Sequence, residues 1–208
     1  MIVRWGLDEL AELAGAHPFV GASPRWRYVL EGADRWEEVP SHRIDVPSGV
    51  DTIVAVGGGS AIDTAKAASA ASGLPLVSVP TTYSGAEWTT FFGVRDPDRR
   101  MRGGGAGALL HAIVYEPELT LDLPRAETVG TALNALAHSA EALYVRERTP
   151  ESDRDALAGA ELIGEWLPRV VADPHDLEAR TGLLRGASHA GAALGGSMLA
   201  LGHALAQG

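Results

Sequence analysis

Apolar and polar positions are patterned in two ways along this chain, and the change falls near Pro124. Before it, short apolar runs alternate with turns rich in glycine, proline and hydroxyl residues. Ile53-Val54-Ala55-Val56 and the run from Leu74 to Val79 are continuous and rich in β-branched residues, as in strands buried on both faces of a parallel sheet. Ile2 to Trp5 predicts an edge strand, residues 8–14 a short amphipathic helix, and Pro18-Phe19-Val20 a strand entering the Gly21-Ala22-Ser23-Pro24 turn. Phe91 to Val94 and His111 to Tyr115 predict further strands. Residues 25–48 carry Pro40, Pro47 and scattered charge with no helical period, so one or two short strands are expected there. Residues 96–107, charged and then glycine-rich, read as a loop.

After Pro124 the apolar residues recur at helical spacing. Residues 125–145, 153–171 and 176–193 predict helices, and residues 197–207 a fourth, with Pro150 and Pro174 between them as stops. The expected organisation is an α/β domain with a parallel sheet over residues 1–123, followed by a helical domain over residues 124–208.

One stretch stands out chemically. The strand at Ile53 runs straight into Gly57-Gly58-Gly59 and then an alanine-rich helix from about Ser60 to Ser72. Three glycines permit a sharp turn and close approach of a ligand. The free N–H groups and positive dipole end of the helix suit an anion such as a pyrophosphate. Ser60-x-x-Asp63 also reads as a variant capping box, which would merely start the helix. The next strand ends in Pro80-Thr81-Thr82-Tyr83-Ser84-Gly85. In a doubly wound sheet both loops fall at the carboxyl ends of the strands, where ligands sit. Thr81, Thr82 and Ser84 are therefore candidate hydroxyl donors to a cofactor, against the alternative of a solvent-exposed polar turn. Lys66, the only lysine, lies two turns from the glycines and either reaches a ligand or is solvated. Arg99, Arg100 and Arg102 either pair with an acidic substrate or 2′-phosphate, or form a solvated charged loop.

Composition narrows the class. The 208 residues carry a net charge of −10, which argues against nucleic acid as a partner but not against a phosphorylated cofactor. There is no cysteine, so disulfides, thiolate metal sites and a cysteine nucleophile are excluded, and a cytoplasmic location is expected. The first residues lack the long apolar core of a signal peptide, and no run is long enough to span a membrane.

Read together, VAVGGGSAIDTAKA, VPTTYSGAEWT, VYEPELTLDLP, TALNALAHSAEALY and AGAALGGSMLALGHALA resemble, in order, the motifs of the iron-containing alcohol dehydrogenase superfamily, which shares the dehydroquinate synthase-like fold. The resemblance implies an α/β dinucleotide-binding domain followed by an all-helical one. It implies NAD or NADP as cofactor, held by Gly57, Gly58, Gly59, Ser60, Thr81 and Thr82, with Asp63 nearby. The short PTTYSGAEWT loop and Asn134 where the metal-dependent members carry Asp are similar to the maleylacetate reductase branch. Those enzymes use NADH or NADPH to reduce the carbon–carbon double bond of a small dicarboxylate. The nicotinamide is then expected in the cleft between the two halves, with Asn134, His138 and His203 as the catalytic set and a histidine as proton donor. Arg100 and Arg102 would neutralise substrate carboxylates.

Asn134 and His138 are four residues apart and so share a helix face. In metal-dependent relatives these positions and that of His203 are ligands. An amide in place of a carboxylate weakens divalent binding, so no tightly bound metal is expected; were one bound, Asn134, His138 and His203 would hold it. His189 falls where the family has an apolar residue and is not counted. The family's last metal-position histidine has no counterpart, Gln207 replaces a further histidine, and the helical domain is expected to be C-terminally truncated. That predicts a homo-oligomer or a complementing C-terminal chain to cover apolar faces. A non-catalytic dinucleotide-binding or interaction protein and a metal-dependent alcohol dehydrogenase are the alternatives.

Overall fold

The computed structural model describes residues 1–197. These divide into two compact units, residues 1–81 with 90–116, and residues 82–89 with 117 onward.

The first unit is built on a six-stranded sheet, all of whose pairs are parallel. Its strands are β1 (Ile2–Trp5), β2 (Pro18–Ala22), β3 (Asp34–Trp36), β4 (Thr52–Gly57), β5 (Pro75–Pro80) and, last in the chain, β8 (Leu109–Tyr115). The spatial order is β1-β8-β5-β4-β2-β3. Every residue of β4 is buried, as its unbroken apolar run requires of a central strand. Ile53, Val54, Ala55, Val56, Leu76, Val77 and Val79 form the heart of this core. β1 is an edge strand, and Trp5 stacks on Tyr115 at a centroid distance of 4.9 Å. Of the one or two strands expected in residues 25–48, β3 forms. Between β1 and β2 lies the short helix α1 (Leu10–Leu13), and between β4 and β5 the helix α2 (Gly59–Ser72). Small side chains on α2, among them Ala61, Ala65 and Ala68, are buried.

The glycine-rich segment expected as a loop is instead half of a hairpin. β6 (Phe92–Arg95) pairs antiparallel with β7 (Met101–Gly105). Three successive glycines hide the alternation that reveals a strand, and the turn is written in one side chain. Asp96 Oδ1 accepts the Arg100 N–H at 2.9 Å, and the Asp96 carbonyl accepts the Arg99 N–H at 2.8 Å. Asp96 Oδ2 accepts Arg102 Nε at 2.7 Å. Burial, the largest influence, pushes the Asp96 carboxyl up; the Arg100 N–H and the Arg102 guanidinium together outweigh it and hold the carboxyl below its usual value of 3.8. A carboxylate with a lower pKa folded than unfolded stabilises the fold fully above its unfolded value and loses that contribution as pH falls through the folded one. The hairpin is therefore expected to loosen below about pH 3.8, read as faster amide exchange at Gly103 to Gly105, and Asp96→Asn should remove that acid step.

The second unit is helical. It contains α3 (Arg125–Ala142), α4 (Pro150–Ala172) and α5 (Leu177–Ser197). Pro150 does not stop a helix but begins α4, occupying the first turn where its missing N–H costs nothing. Thr149 and Ser152 close a capping box ahead of it: Ser152 N–H donates to Thr149 Oγ1 at 3.1 Å and Thr149 N–H to Ser152 Oγ at 2.8 Å. α5 extends to Ser197, and the helix expected over residues 197–207 otherwise lies outside the described residues.

Candidate functional site

In the first unit the chain runs outward from β2 to β3 and then back past β2 to β4, β5 and β8, so the winding direction reverses between β2 and β4. In doubly wound sheets such a reversal is where ligands bind, outside the carboxyl ends of the two strands. Gly57 closes β4 there with φ of 154°, and a Cβ on it would lie 2.7 Å from Ala61 Cβ. Only glycine fits without displacing the first turn of α2. α2 then starts with Gly58 as N-cap and no side-chain cap. The Ala61 and Ile62 N–H groups turn back to the Gly58 carbonyl at 2.9 and 3.1 Å, which leaves the N–H groups ahead of them, at the positive end of the helix dipole, without a side-chain cap. Thr81 follows β5, is buried, and donates its N–H to the Gly57 carbonyl at 3.0 Å, so the structure brings Thr81 and the glycine turn together.

The capping box expected from Ser60 and Asp63 does not form, because Asp63 is engaged elsewhere. Its Oδ1 accepts Lys66 Nζ at 3.3 Å and its Oδ2 the Gly93 N–H at 3.3 Å. Burial pushes the Asp63 carboxyl above the usual range, against the opposing pull of Lys66 and Gly93. Lys66 is not solvated. It is fully buried, and its ammonium donates to the Phe91 carbonyl at 2.9 Å. Asp63 and Lys66 thus fix the chain at the start of β6. Arg102 is bound to Asp96, whereas Arg100 hydrogen-bonds Asp96 through its backbone N–H and keeps an exposed side chain.

The second unit gathers a different set. Segment 82–89 carries Thr82 and Ser84, whose hydroxyl oxygens are buried with no hydrogen-bond partner among the described residues. A buried unpaired hydroxyl costs about 1–3 kcal/mol, which a bound polar ligand or water would relieve. The Ser84 carbonyl faces Asn134 Nδ2 at 3.3 Å and His138 Nε2 at 3.2 Å, and those two nitrogens are 2.9 Å apart. Nε2 either donates a proton to Ser84 or accepts one from Asn134, and cannot do both in one tautomer. His138 is buried, so this choice is made away from bulk water. His203, the third expected member, lies outside the described residues, as does Gln207. Asn134 is a neutral amide, so beside His138 it offers Fe²⁺ or Zn²⁺ a weaker donor set than a carboxylate and an imidazole would. Among the described residues no three His, Asp or Glu side chains are grouped to hold a metal. His189 is bonded to Asp155 at 2.8 Å.

Two anchors of segment 82–89 are invisible to motif reading, and both come from α5. Arg180 is fully buried, and its guanidinium donates to Tyr83 Oη at 3.2 Å, to Thr128 Oγ1 at 3.1 Å, and to the carbonyls of Leu121, Leu123 and Pro174. Gly191 receives Trp88: a Cβ there would lie 2.3 Å from the indole Cδ1. The available signal was a charged residue on an apolar stripe. Arg180 shares the buried face of α5 with Leu183, Leu184, Ala187, Ala190 and Leu194.

Comparison with known proteins adds the following. The model of the family described as iron-containing alcohol dehydrogenase matches residues 20–114, and that of the Fe-containing alcohol dehydrogenase family, C-terminal, matches residues 128–208, so that together they take in most of the chain. Maleylacetate reductase from Burkholderia cepacia is 44% identical over 157 residues, 76% of this chain and 45% of the relative. Maleylacetate reductase 1 from Cupriavidus pinatubonensis is 35% identical over 206 residues, 90% of this chain and 58% of the relative. The crystal structure of maleylacetate reductase from Agrobacterium tumefaciens superposes with a TM-score of 0.84 at 28% identity, covering 98% of this chain and 66% of that one. The chain spans about half the length of the curated relatives it matches.

Proposed function

Because this chain belongs to the iron-containing alcohol dehydrogenase family, we propose that it works as an NAD(P)H-dependent reductase of a small carboxylate-bearing substrate, in the manner for which its maleylacetate reductase relatives are named. The observation that carries the reading is the glycine turn at the strand-order reversal, where Gly57 cannot bear a side chain and α2 starts without a side-chain cap. In this reading the N–H groups around Gly58, Gly59 and Ser60 bind the pyrophosphate. The hydroxyls of Thr82 and Ser84, buried without partners, bind a polar group of cofactor or substrate. The bound dinucleotide supplies the hydride.

The protein's own residues supply the rest. Reduction of a double bond needs one proton besides the hydride, and His138 Nε2 is the group that carries it in the proposed reaction. Asn134 and the Ser84 carbonyl orient the imidazole and set its tautomer. Arg100, exposed and unpaired with Asp96 through its side chain, is the candidate for a substrate carboxylate. No step is assigned to a metal, since the neutral Asn134 amide stands where a carboxylate would supply the charge that strengthens divalent binding.

The test is NAD(P)H oxidation with maleylacetate, run beside a thermal melt with each dinucleotide. Dinucleotide at about a hundred times its Kd should stabilise the fold by roughly 2.7 kcal/mol. His138→Ala is expected to lower turnover by about a hundredfold or more while keeping the dinucleotide-induced rise in melting temperature. Unchanged turnover would remove His138 from the mechanism. A melt that shifts with no turnover by the wild type would leave a dinucleotide-binding protein instead.

A further inference from the structure

The dinucleotide reading, on which this inference rests, leaves open which phosphate pattern the adenosine ribose carries. The fold says where that choice is made. Ala22, the last residue of β2, is in register with Val56, so the chain leaves β2 beside Gly57, on the side where the winding reverses. In a doubly wound sheet a carboxylate near that point reads the ribose 2′-hydroxyl, and an arginine accommodates a 2′-phosphate.

The segment that leaves here is Ser23-Pro24-Arg25-Trp26-Arg27, with a short turn of helix over Pro24–Trp26. It is held in place by two guanidinium groups. Arg35, on β3, points its fork at the carbonyls of Trp26, Val29 and Leu30, the last at 2.8 Å. Arg27 takes both carboxylate oxygens of Glu37, each at 2.5 Å. That pairing occupies Glu37, which follows β3, the edge strand paired parallel to β2. Arg25 is left over. It is exposed, its guanidinium lies 4.2 Å over the Trp26 ring, and no carboxylate stands within ion-pair distance of it among the described residues. A stacked guanidinium of this kind keeps its N–H edge for an anion, because the ring takes the face and not the donors. Ser23 adds a hydroxyl, and no acid lies between β2 and Trp26.

We propose that Arg25, with Ser23, forms a 2′-phosphate subsite on the loop after β2 and makes this chain prefer NADPH to NADH. Glu38 is the competing group: it follows β3, no ion pair holds it among the described residues, and it would serve a free 2′-hydroxyl.

The experiment measures equilibrium binding of NADPH and NADH by quenching of tryptophan fluorescence, with 2′,5′-ADP and 5′-ADP as competitors, in the wild type, Arg25→Ala and Glu38→Gln. The wild type is expected to bind NADPH roughly ten- to a hundredfold more tightly than NADH, the range a charge-assisted contact supplies. Arg25→Ala should lose that margin with NADH affinity unchanged, and 2′,5′-ADP should compete better than 5′-ADP only where Arg25 is present. Equal binding of the two dinucleotides, or tighter NADH binding lost in Glu38→Gln, overturns the subsite and leaves the dinucleotide reading intact. Failure of both dinucleotides to bind overturns that reading and the subsite with it.

Discussion

Arg180→Ala should cost about 2–5 kcal/mol of stability, through the cavity it leaves and the acceptors it strands. The guanidinium is buried and serves five oxygens from four stretches of chain: Pro174, Tyr83, Thr128, and Leu121 with Leu123. Removing it strands those acceptors and leaves a cavity, and both terms act in the same direction. No carboxylate partners Arg180 among the described residues, so its loss leaves no opposite charge buried alone. For a chain of this size the melting temperature should fall on the order of ten degrees. Arg180→Lys keeps the charge without the planar fork and should recover only part of the loss. A melt for Arg180→Ala within a degree or two of the wild type would show that these hydrogen bonds are replaceable by water.

The second large effect is expected at Gly57. Gly57→Val places a branched side chain where even a Cβ lies 2.7 Å from Ala61, at a φ of 154° that such residues avoid. Strain of this kind costs about 1–3 kcal/mol, but the greater consequence is for binding. To relieve the contact the first turn of α2 must move away from β4, and its N–H groups move with it. The dinucleotide-induced rise in melting temperature should therefore vanish, beyond what the lower stability explains. Gly130→Ala is the control. A Cβ on that α3 residue meets nothing within 4 Å, so it should raise stability by up to about 1 kcal/mol and leave binding alone. Retained binding in Gly57→Val would mean that the pyrophosphate does not rest on this turn.

Much of this architecture was legible in the sequence because local pattern and global fold agree. Ile53 to Val56 reads as a buried central strand and is one, and the alanine-rich run after Gly59 reads as a helix laid on a sheet. The misreadings share a physical cause: side chains answer to partners far away in sequence. Ser60 and Asp63 have the spacing of a capping box, yet Asp63 is claimed by Lys66 and Gly93. Lys66 looks like a surface lysine and is buried, because the Phe91 carbonyl and Asp63 wait for its ammonium. β7 was hidden because glycines carry no period. Pro150 reads as a stop because a proline between helices looks the same whether it ends one or begins the next.

For the candidate site, motif reading singles out Gly57, Thr81, Asn134 and His138 but does not assign their surroundings. The Ser84 carbonyl that completes the Asn134–His138 cluster has no side-chain identity to recognise. Arg25 was unremarkable until the register of β2 with β4 put its loop beside the glycine turn.

The grouping of segment 82–89 with the helices has a practical corollary for anyone dissecting this protein. A cut at Glu116 would seem to liberate a contiguous helical half, but that piece would lack Tyr83 and Trp88. Arg180 would lose one of its acceptors, and Gly191 would be left as an open notch. The helical half is thus not a severable cassette: grafting it onto another scaffold, or rebuilding the protein from two fragments, requires that the octapeptide from Thr82 to Thr89 be carried along, by circular permutation or as a separate peptide.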